Sequence, residues 1–361
     1  MPNQFCRYLS NGFSFSQKNS GIIVKPCCWF KHSVPLDSQF ADNYKKTFDS
    51  INGWTDACSA CKSLEDAGQQ SLRQTGPDWI HNDVPHGDPV CIDINLDFTC
   101  NAACITCNED SSSLWKIENA KLLGKKIKIK NHDDTVDKSI SKILESVSLN
   151  QVTYVKFFGG EPLLTDTHYK FIQNLPNPNL VTLHYTTNAS IYPNNKIINE
   201  WKKFKCIIFS ASLDGIQKQF DYVRWPLTWN KVSQNLIRLK QITDNSNVLF
   251  RVEFTANLLN IYYYDLLEKW IQENLSHNSA GDKTEINIHH CWGIFSPDSM
   301  PVPLREFIKT KYDHTHVIHQ LVANLPAPIS KTPWLNFAKI WDDRRNISWK
   351  KAFPELVDFI A

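Results

Sequence analysis

The stretch FTCNAACITCNED, residues 98–110, decides how this sequence is interpreted. It places Cys100, Cys104 and Cys107 in the spacing CxxxCxxC, within a chain of 361 residues that has 11 cysteines. In a reducing compartment, clustered cysteines favour a metal or redox centre over disulfides. No His or Cys occurs at residues 108–131, so the fourth local ligand that a structural zinc ion would need is not evident. A zinc site, and a disulfide with a spare thiol, are the plainer alternatives.

Charge and hydropathy exclude several classes of protein. The formal net charge of +2 does not suit a protein that coats nucleic acid, because such a footprint needs Lys and Arg massed on one face. The first 16 residues lack a charged segment followed by an apolar one, and no stretch approaches about 18 uninterrupted apolar residues. The sequence therefore predicts a cytoplasmic protein without membrane or nucleic-acid partners.

Six runs of β-branched and aromatic residues alternate with helical patterns, such as those at 111–123 and 231–242. Six successive βα units imply a parallel sheet with right-handed crossovers, and six are too few to close an eight-stranded barrel. The predicted fold class is therefore α/β, an open partial (β/α)6 TIM barrel. The runs are VCIDINLDF (90–98), VTYVKFF (152–158), LVTLHYTT (180–187), CIIFSASL (206–213), NVLFRVEFTAN (247–257) and EINIHHCW (285–292).

Chemically useful residues follow the predicted strands, where α/β folds place their active sites. The CxxxCxxC stretch follows the first strand and GGEP (159–162) follows the second. TNAS (187–190) follows the third strand, and SLDG (212–215) lies at the end of the fourth. The carboxyl edge of the predicted sheet is therefore the candidate site.

In this order, one strand apart, CxxxCxxC and GGEP resemble the motifs of the radical S-adenosylmethionine (SAM) superfamily, and the resemblance covers about residues 90–292. It implies that Cys100, Cys104 and Cys107 hold three irons of a [4Fe–4S] cluster and leave the fourth iron for SAM. It also implies reductive cleavage of SAM to a 5′-deoxyadenosyl radical, with an electron donor of the flavodoxin or ferredoxin type as partner.

The resemblance assigns SAM-binding roles to seven further residues. Gly159 and Gly160 would let the backbone approach the methionyl ammonium, and Glu161 would accept a charge-assisted hydrogen bond from it. Short polar side chains would serve the ribose hydroxyls and the carboxylate region, and an arginine in DYVRWP would face the SAM carboxylate. The plainer readings are a turn residue or, for the arginine, a surface salt bridge. The short polar side chains are those of Asn188, Ser212 and Asp214, and the arginine is Arg224.

The first 89 residues carry a second cysteine pattern, in which Cys6 and Gly21 precede KPCC (25–28) and CSAC (58–61). It resembles the auxiliary-cluster module called twitch, a shortened relative of SPASM, which here would precede the core. Cys6, Cys27, Cys58 and Cys61 would then hold a second, auxiliary [4Fe–4S] cluster that also stabilises this weakly apolar segment. Cys28 competes with Cys27 as ligand, and zinc on the same four thiolates is the alternative.

The predicted organisation is thus a small N-terminal iron–sulfur (twitch-like) module at 1–89, a radical SAM core at 90–300, and a C-terminal helical and aromatic extension at 301–361. Residues 304–322 of that extension are predicted to form one helix. The predicted function is hydrogen abstraction from a substrate, which the resemblance suggests is a peptide or protein side chain. A sugar, a nucleotide or another small metabolite is the alternative substrate. A non-catalytic, zinc-stabilised binding protein is the alternative of another class.

Overall fold

The fold is known from a computed structural model. It describes residues 5–360 except positions 19, 49, 67, 69, 76–87, 127–131, 244–245, 277–283 and 331.

Nine strands form one continuous sheet in the described part of the chain, in the order β3-β2-β1-β4-β5-β6-β7-β8-β9. The strands are β1 (Gly12–Lys18), β2 (Gly21–Lys25), β3 (Val34–Pro35), β4 (Cys91–Asn95), β5 (Tyr154–Phe157), β6 (Thr182–Thr187), β7 (Cys206–Ser212), β8 (Val248–Ala256) and β9 (Glu285–His290). Strands β4 to β9 pair in parallel, each with the next along the chain. They lie within the six predicted runs, and the predicted α/β fold with a parallel, partial-barrel sheet is confirmed.

Helices connect the parallel strands and continue beyond the last one. They are α1 (Tyr8–Asn11), α2 (Phe40–Phe48), α3 (Ser59–Asp66), α4 (Leu72–Thr75), α5 (Ser113–Leu122), α6 (His132–Ser146), α7 (Thr167–Ile172), α8 (Asn195–Trp201), α9 (Gln217–Val223), α10 (Trp229–Thr243), α11 (Tyr264–Asn274), α12 (Val302–Lys311), α13 (Val317–Ala323), α14 (Thr332–Arg345), α15 (Trp349–Ala352) and α16 (Val357–Ile360). No helix of the described residues combines the length and the apolar character needed to cross a bilayer.

The N-terminal segment extends the same sheet. Strand β1 pairs in parallel with β4, from Gly12 opposite Cys91 to Ser16 opposite Asn95, and β2 returns antiparallel to β1. The sequence of β1, GFSFSQK, alternates phenylalanine with polar residues, so its rings lie on one face of the sheet and its serines on the other. The predicted domain division at residue 89 stays a prediction.

The two faces of the sheet differ in chemistry. One face is apolar, and a row of aromatic residues in register crosses it at Phe157, Tyr185, Phe209 and Phe250. On the opposite face, Asp93, Lys156 and His184 lie side by side on β4, β5 and β6. We call this second surface the polar face; β7, β8 and β9 continue it with Ser210, Ser212, Arg251, Glu253 and His289. The polar face leads toward the carboxyl edge of the strands.

The C-terminal extension differs from its sequence-based prediction in one detail. Residues 304–322 read as a single helix, but the structure divides them into α12 and α13. Asp313 accepts a hydrogen bond from the backbone N–H of Thr315, and His316 caps α13 by accepting one from Ile318. Such local side-chain bonds compete with helix continuation. The tail beyond them is buried in the core through Trp334 and Phe353.

The first prediction concerns the joint between β1 and the rest of the sheet. Phe15→Ala should lower the free energy of unfolding by about 3–5 kcal/mol, because this ring is fully buried. Leu249→Ala on β8, where the side chain is 46% exposed, is the control and should change it by only about 0.5 kcal/mol. Urea unfolding followed by circular dichroism should show one transition for both variants. A separate early transition that carries the whole Phe15 effect would mean that β1 does not fold with the core.

Candidate active site

The cysteine loop between β4 and α5 is fixed from one side by the first turn of α5. The backbone N–H of Cys100 donates to Ser113 Oγ at 3.0 Å. The indole Nε1 of Trp115 donates to the carbonyl oxygen of Cys104 at 2.7 Å. Both partners come from α5, so the loop and the helix start form one hydrogen-bonded unit.

The end of α9 and the segment after it fix the loop from the other side. The backbone N–H of Ala103 donates to the carbonyl of Trp225 at 2.7 Å, and that of Ile105 donates to the carbonyl of Val223 at 2.9 Å. Because neighbouring elements satisfy these backbone groups, the loop does not depend on its own short-range bonds for its shape. The three thiols are therefore presented from a preformed loop.

Burial makes the loop thiols weak acids. Cys104 is buried, whereas Cys100 and Cys107 are half-buried. Burial raises the pKa of Cys104 to about 12, against the opposing effect of Arg224, and raises the pKa of Cys100 to about 11. Burial also raises the pKa of Cys107. All three would be thiolates at neutral pH only with a cationic centre between them, since metal binding releases the thiol protons.

Gly159 and Gly160 pack directly on the start of the cysteine loop. Both have positive φ, +80° and +54°. A Cβ on Gly159 would lie 1.9 Å from Asn95 Oδ1, and a Cβ on Gly160 would lie 2.5 Å from the carbonyl oxygen of Thr99. The predicted reason for these glycines was the approach of a ligand. The structure adds a second reason, which is the close packing of two loops of the same chain.

Glu161 is 2% exposed and accepts three hydrogen bonds from its own chain. Its Oε1 accepts from Thr187 Oγ1 at 2.7 Å and from the backbone N–H of Leu163 at 3.1 Å. Its Oε2 accepts from the backbone N–H of Asn188 at 2.6 Å. Burial raises the pKa of Glu161, and these bonds oppose the rise. The carboxylate thus joins the end of β6 to the GGEP segment.

Asn188 links the third loop to the cysteine loop. Its side-chain Nδ2 donates to Asn101 Oδ1 at 3.0 Å, and its Oδ1 accepts from the backbone N–H of Ser190 at 2.9 Å. Asn101 in turn donates to Ser190 Oγ at 2.8 Å. The TNAS segment is therefore a hydrogen-bonded neighbour of the cysteine loop, as expected for two loops at the carboxyl edge.

Asp214, which is fully buried, and Arg224, whose side chain is 11% exposed, form an ion pair beside Cys104. Arg224 Nη2 lies 2.8 Å from Asp214 Oδ2, and Asp214 Oδ1 accepts from the backbone N–H of Thr255 at 2.8 Å. Arg224 Nη1 donates to Cys104 Sγ at 3.9 Å. Burial alone would lower the pKa of Arg224, but Asp214 and the nearby thiols raise it above its ordinary value. A permanent cation therefore adjoins the cysteine loop.

Ser212 shares no hydrogen bond with these residues in the part of the chain that the structure describes. It is the last residue of β7, half-buried, and pairs in register with Glu253 on the polar face. The structure thus brings together six of the seven predicted SAM-binding residues around the cysteine loop and leaves Ser212 at the edge of the polar face.

Sequence reasoning missed the residues that hold the loops in place. Asp97 accepts from the backbone N–H of Thr99 at 2.7 Å and from Thr165 Oγ1 at 2.6 Å, so it fastens the loop start to the segment after GGEP. The pattern Asp-x-Thr, typical of a turn in which an Asx side chain bonds the backbone two residues on, is a usable signal. Ser113 and Trp115 carry no such signal, because their partners are distant backbone groups.

The four predicted auxiliary ligands line one cavity in the N-terminal region. Cys6, Cys27, Cys58 and Cys61 line a narrow cavity of about 20 Å³, and its other neighbours are mainly apolar. Burial raises the pKa of Cys6 to about 11 and also raises the pKa values of Cys27 and Cys58. Arg73 also lines the cavity, pairs with Glu65 and lies over the ring of Trp54.

Cys28 points away from that cavity. Its thiol contacts the carboxyl group of Asp93 on β4, and burial together with this carboxyl group raises its pKa to about 12. Cys27 and Cys28 therefore have different surroundings although they are adjacent in sequence. Among the residues that the structure describes, no group of three or more His, Cys, Asp or Glu side chains is close enough together to hold a single metal ion.

No model of a known protein family matches the sequence, and no curated protein matches it. Among solved structures, native anSMEcpe with bound AdoMet aligns with 62% of this chain and 57% of its own, at 16% identity and a TM-score of 0.41. Native anSMEcpe with bound AdoMet and Cp18Cys peptide aligns with 62% and 56%, at 16% identity and a TM-score of 0.37.

TYW1 with a lysine-pyruvate adduct bound aligns with 47% of this chain and 58% of its own, at 15% identity and a TM-score of 0.29. This chain thus spans somewhat over half the length of the solved chains that it resembles. At these identities and TM-scores the similarities assign no function to it.

The second prediction isolates the close packing at Gly160. Gly160→Ala and Gly124→Ala both place a side chain at positive φ, +54° and +65°, but only at Gly160 would the new Cβ meet another group within 4 Å. Gly124→Ala should destabilise the protein by about 1–2 kcal/mol from backbone strain alone. Gly160→Ala should destabilise it more and displace the cysteine loop.

Two measurements check this prediction, urea unfolding and the rate at which iodoacetamide modifies Cys104 in the metal-free protein. Cys104 should react faster in Gly160→Ala than in Gly124→Ala. Equal rates and equal stabilities would show that the contact between the two loops is unimportant.

Proposed function

We propose that this chain is a radical SAM enzyme. The observation that carries the proposal is the packing of the Cys100–Cys107 loop against Gly159–Glu161 at the carboxyl edge of a parallel sheet, beside Arg224. Three thiols on one preformed loop suit a [4Fe–4S] cluster that keeps one iron open to an exchangeable ligand.

Buried polar atoms without partners support a ligand at this edge. Arg224 Nε and Asn95 Oδ1 are buried and have no hydrogen-bond partner among the residues that the structure describes. Such groups are uncommon in folded proteins and call for an explanation, for which a bound ligand is one candidate. The methionyl part of SAM offers a carboxylate to an arginine donor and an ammonium to an oxygen acceptor, so the residues present fit the group.

The roles of the chain's residues follow from their surroundings. Cys100, Cys104 and Cys107 hold the cluster, and Arg224 faces the SAM carboxylate, with Asp214 keeping the guanidinium in place. Glu161 attracts the methionyl ammonium while it fixes the TNAS segment. Gly159 and Gly160 keep their backbone accessible, and Asn188 shapes the loop beside them. Ser212 contacts the ribose from the edge of the polar face.

The three loop cysteines would hold a cluster that, when reduced, would supply the electron for cleavage of SAM to methionine and a 5′-deoxyadenosyl radical, the species that would abstract hydrogen from the substrate. Its electron donor is of the flavodoxin or ferredoxin type. The polar face offers charged and hydrogen-bonding groups to a substrate, among them Lys156, Glu253 and His289. The twitch-like cysteine pattern favours a peptide or protein side chain over a sugar, nucleotide or other small metabolite.

The N-terminal cavity is proposed to hold the auxiliary [4Fe–4S] cluster on Cys6, Cys27, Cys58 and Cys61. Four thiols around one cavity could occupy all four irons, so this cluster would not bind SAM. The surroundings of Cys28 support Cys27 as the ligand. Zinc on the same four thiolates is the alternative, and it would leave the SAM chemistry of the core unchanged.

The third prediction tests the two cysteine groups together. Anaerobically reconstituted protein should hold about eight irons per chain, and replacing Cys100, Cys104 and Cys107 by Ala should leave about half of them. That triple variant should form no 5′-deoxyadenosine with dithionite and SAM. The Cys58→Ala/Cys61→Ala variant should still form some, and Cys206→Ala, which changes a thiol outside both groups, should behave as the wild type.

Iron content, zinc content and chromatography of the products decide the outcome, with circular dichroism on the same samples to verify folding. Stoichiometric zinc at both sites would favour the non-catalytic, zinc-stabilised binding protein. If the folded loop variant forms 5′-deoxyadenosine and the Cys58/Cys61 variant does not, the two roles are reversed.

The fourth prediction concerns the charge of Glu161. Glu161→Gln should weaken SAM binding by about 1.5–3 kcal/mol, the range for a hydrogen bond to a charged group. Because Glu161 also accepts bonds from its own chain, Thr187→Val is the control: it removes one of those internal bonds and keeps the carboxylate. Both variants should retain their iron. Equilibrium dialysis with labelled SAM measures the effect, and an equal loss in both variants would exclude a direct role for the charge.

A further inference from the structure

Arg345, the last residue of α14, occupies a box of three tryptophan rings. Its guanidinium carbon lies 4.6 Å from the ring centroid of Trp115, 4.4 Å from that of Trp225 and 4.7 Å from that of Trp341. Arg345 is buried, with only 6% of its surface exposed. We call these three rings and Arg345 the tryptophan box. Its rings come from α5, the segment after α9, and α14.

The cation in the tryptophan box is held by ring faces instead of hydrogen bonds. None of its three guanidinium nitrogens has a hydrogen-bond partner among the residues that the structure describes. Burial lowers the pKa of Arg345 to about 10, with Glu118 the strongest opposing group, so the side chain stays protonated at neutral pH. The negative faces of aromatic rings attract such a desolvated cation. No hydrogen-bond partner among the described residues therefore compensates the positive charge of Arg345 directly.

Two walls of the tryptophan box are bonded directly to the cysteine loop. Trp115 donates its indole N–H to the carbonyl of Cys104, and Trp225 accepts from the backbone N–H of Ala103. Ala103 itself is fully buried and packs with Trp115 and Trp341. Cys104 also lies within electrostatic range of Arg345. The C-terminal extension thus places a fixed positive charge behind the loop that presents the three thiols.

We propose that Arg345, through its fixed positive charge, raises the reduction potential of the cluster on the Cys100–Cys107 loop. This inference rests on the proposed function. Reduction adds one electron, drawn in the experiment from dithionite, and makes or breaks no bond in the chain. A nearby cation stabilises the added negative charge. In general, two unit charges about 12 Å apart at an effective dielectric constant of about 20 interact strongly enough to change an equilibrium constant about tenfold.

The test is a redox titration of the reconstituted full chain, followed by the electron paramagnetic resonance signal that changes when SAM is added. Arg345→Met removes the charge and keeps an unbranched apolar chain between the rings. At a fixed potential it should lower the ratio of reduced to oxidised cluster about tenfold, which for one electron equals a shift of about 59 mV to more negative potential. Arg344→Met is the matched control, because Arg344 is the exposed neighbour on the same helix, and it should leave the ratio unchanged.

Two further variants keep the test decisive if Arg345→Met does not fold. Arg345→Lys retains the charge and should leave the ratio close to that of the wild type. Glu118→Gln removes the negative charge that most strongly opposes the effect of burial on the pKa of Arg345. This variant should raise the ratio of reduced to oxidised cluster. The inference would be overturned if Arg345→Lys lowered the ratio of reduced to oxidised cluster as far as Arg345→Met does. Equal changes of that ratio in Arg345→Met and Arg344→Met would overturn it too. Either result would leave the proposed function intact. A wild-type protein without any SAM-responsive signal would overturn both.

Discussion

The close approach of the GGEP segment to the cysteine loop is the constraint on which the rest of the site depends. A Cβ on Gly159 or Gly160 would overlap the end of β4 or the start of the cysteine loop. Only glycine therefore lets the loop after β5 lie against the loop after β4. Once they are in contact, the backbone N–H of Glu161 donates to the carbonyl of Thr99 at 2.8 Å. The carboxylate of Glu161 then reaches the end of β6. One steric condition thus aligns the loops of three successive strands.

The same edge shows how a polar site can be buried without losing its order. Glu161 and Asp214 are both almost fully buried, and burial raises both pKa values, yet each accepts backbone N–H bonds that favour its charged form. Arg224 supplies the compensating cation beside Asp214 and Cys104. The site is therefore held by groups whose bonds to one another are already made, while Arg224 Nε has no hydrogen-bond partner among the described residues.

The sequence predicted the parallel strands well, because runs such as CIIFSAS and VLFRVEFTA carry the β-branched and aromatic residues of strands between two layers. It predicted the edge on which the motifs meet, because parallel strands share one carboxyl edge. It did not predict β1 as part of that sheet, although the alternation in GFSFSQK was visible, because the partner of a parallel strand lies far along the chain. The tryptophan box was equally hidden, since Trp115, Trp225 and Trp341 are separated by more than a hundred residues each and no local pattern relates them.

The two adjacent cysteines of KPCC show how the two cysteine groups are joined. Cys27 faces the N-terminal cavity, whereas Cys28 contacts Asp93 on β4, the strand that leads directly into the Cys100 loop. Strand β1 pairs with the same β4 residue, since Ser14 lies opposite Asp93. The segment that lines the N-terminal cavity and strand β4 therefore meet at Asp93, which both Cys28 and β1 adjoin. Because β4 leads directly into the Cys100 loop, the N-terminal cavity and the three loop thiols belong to one packed structure.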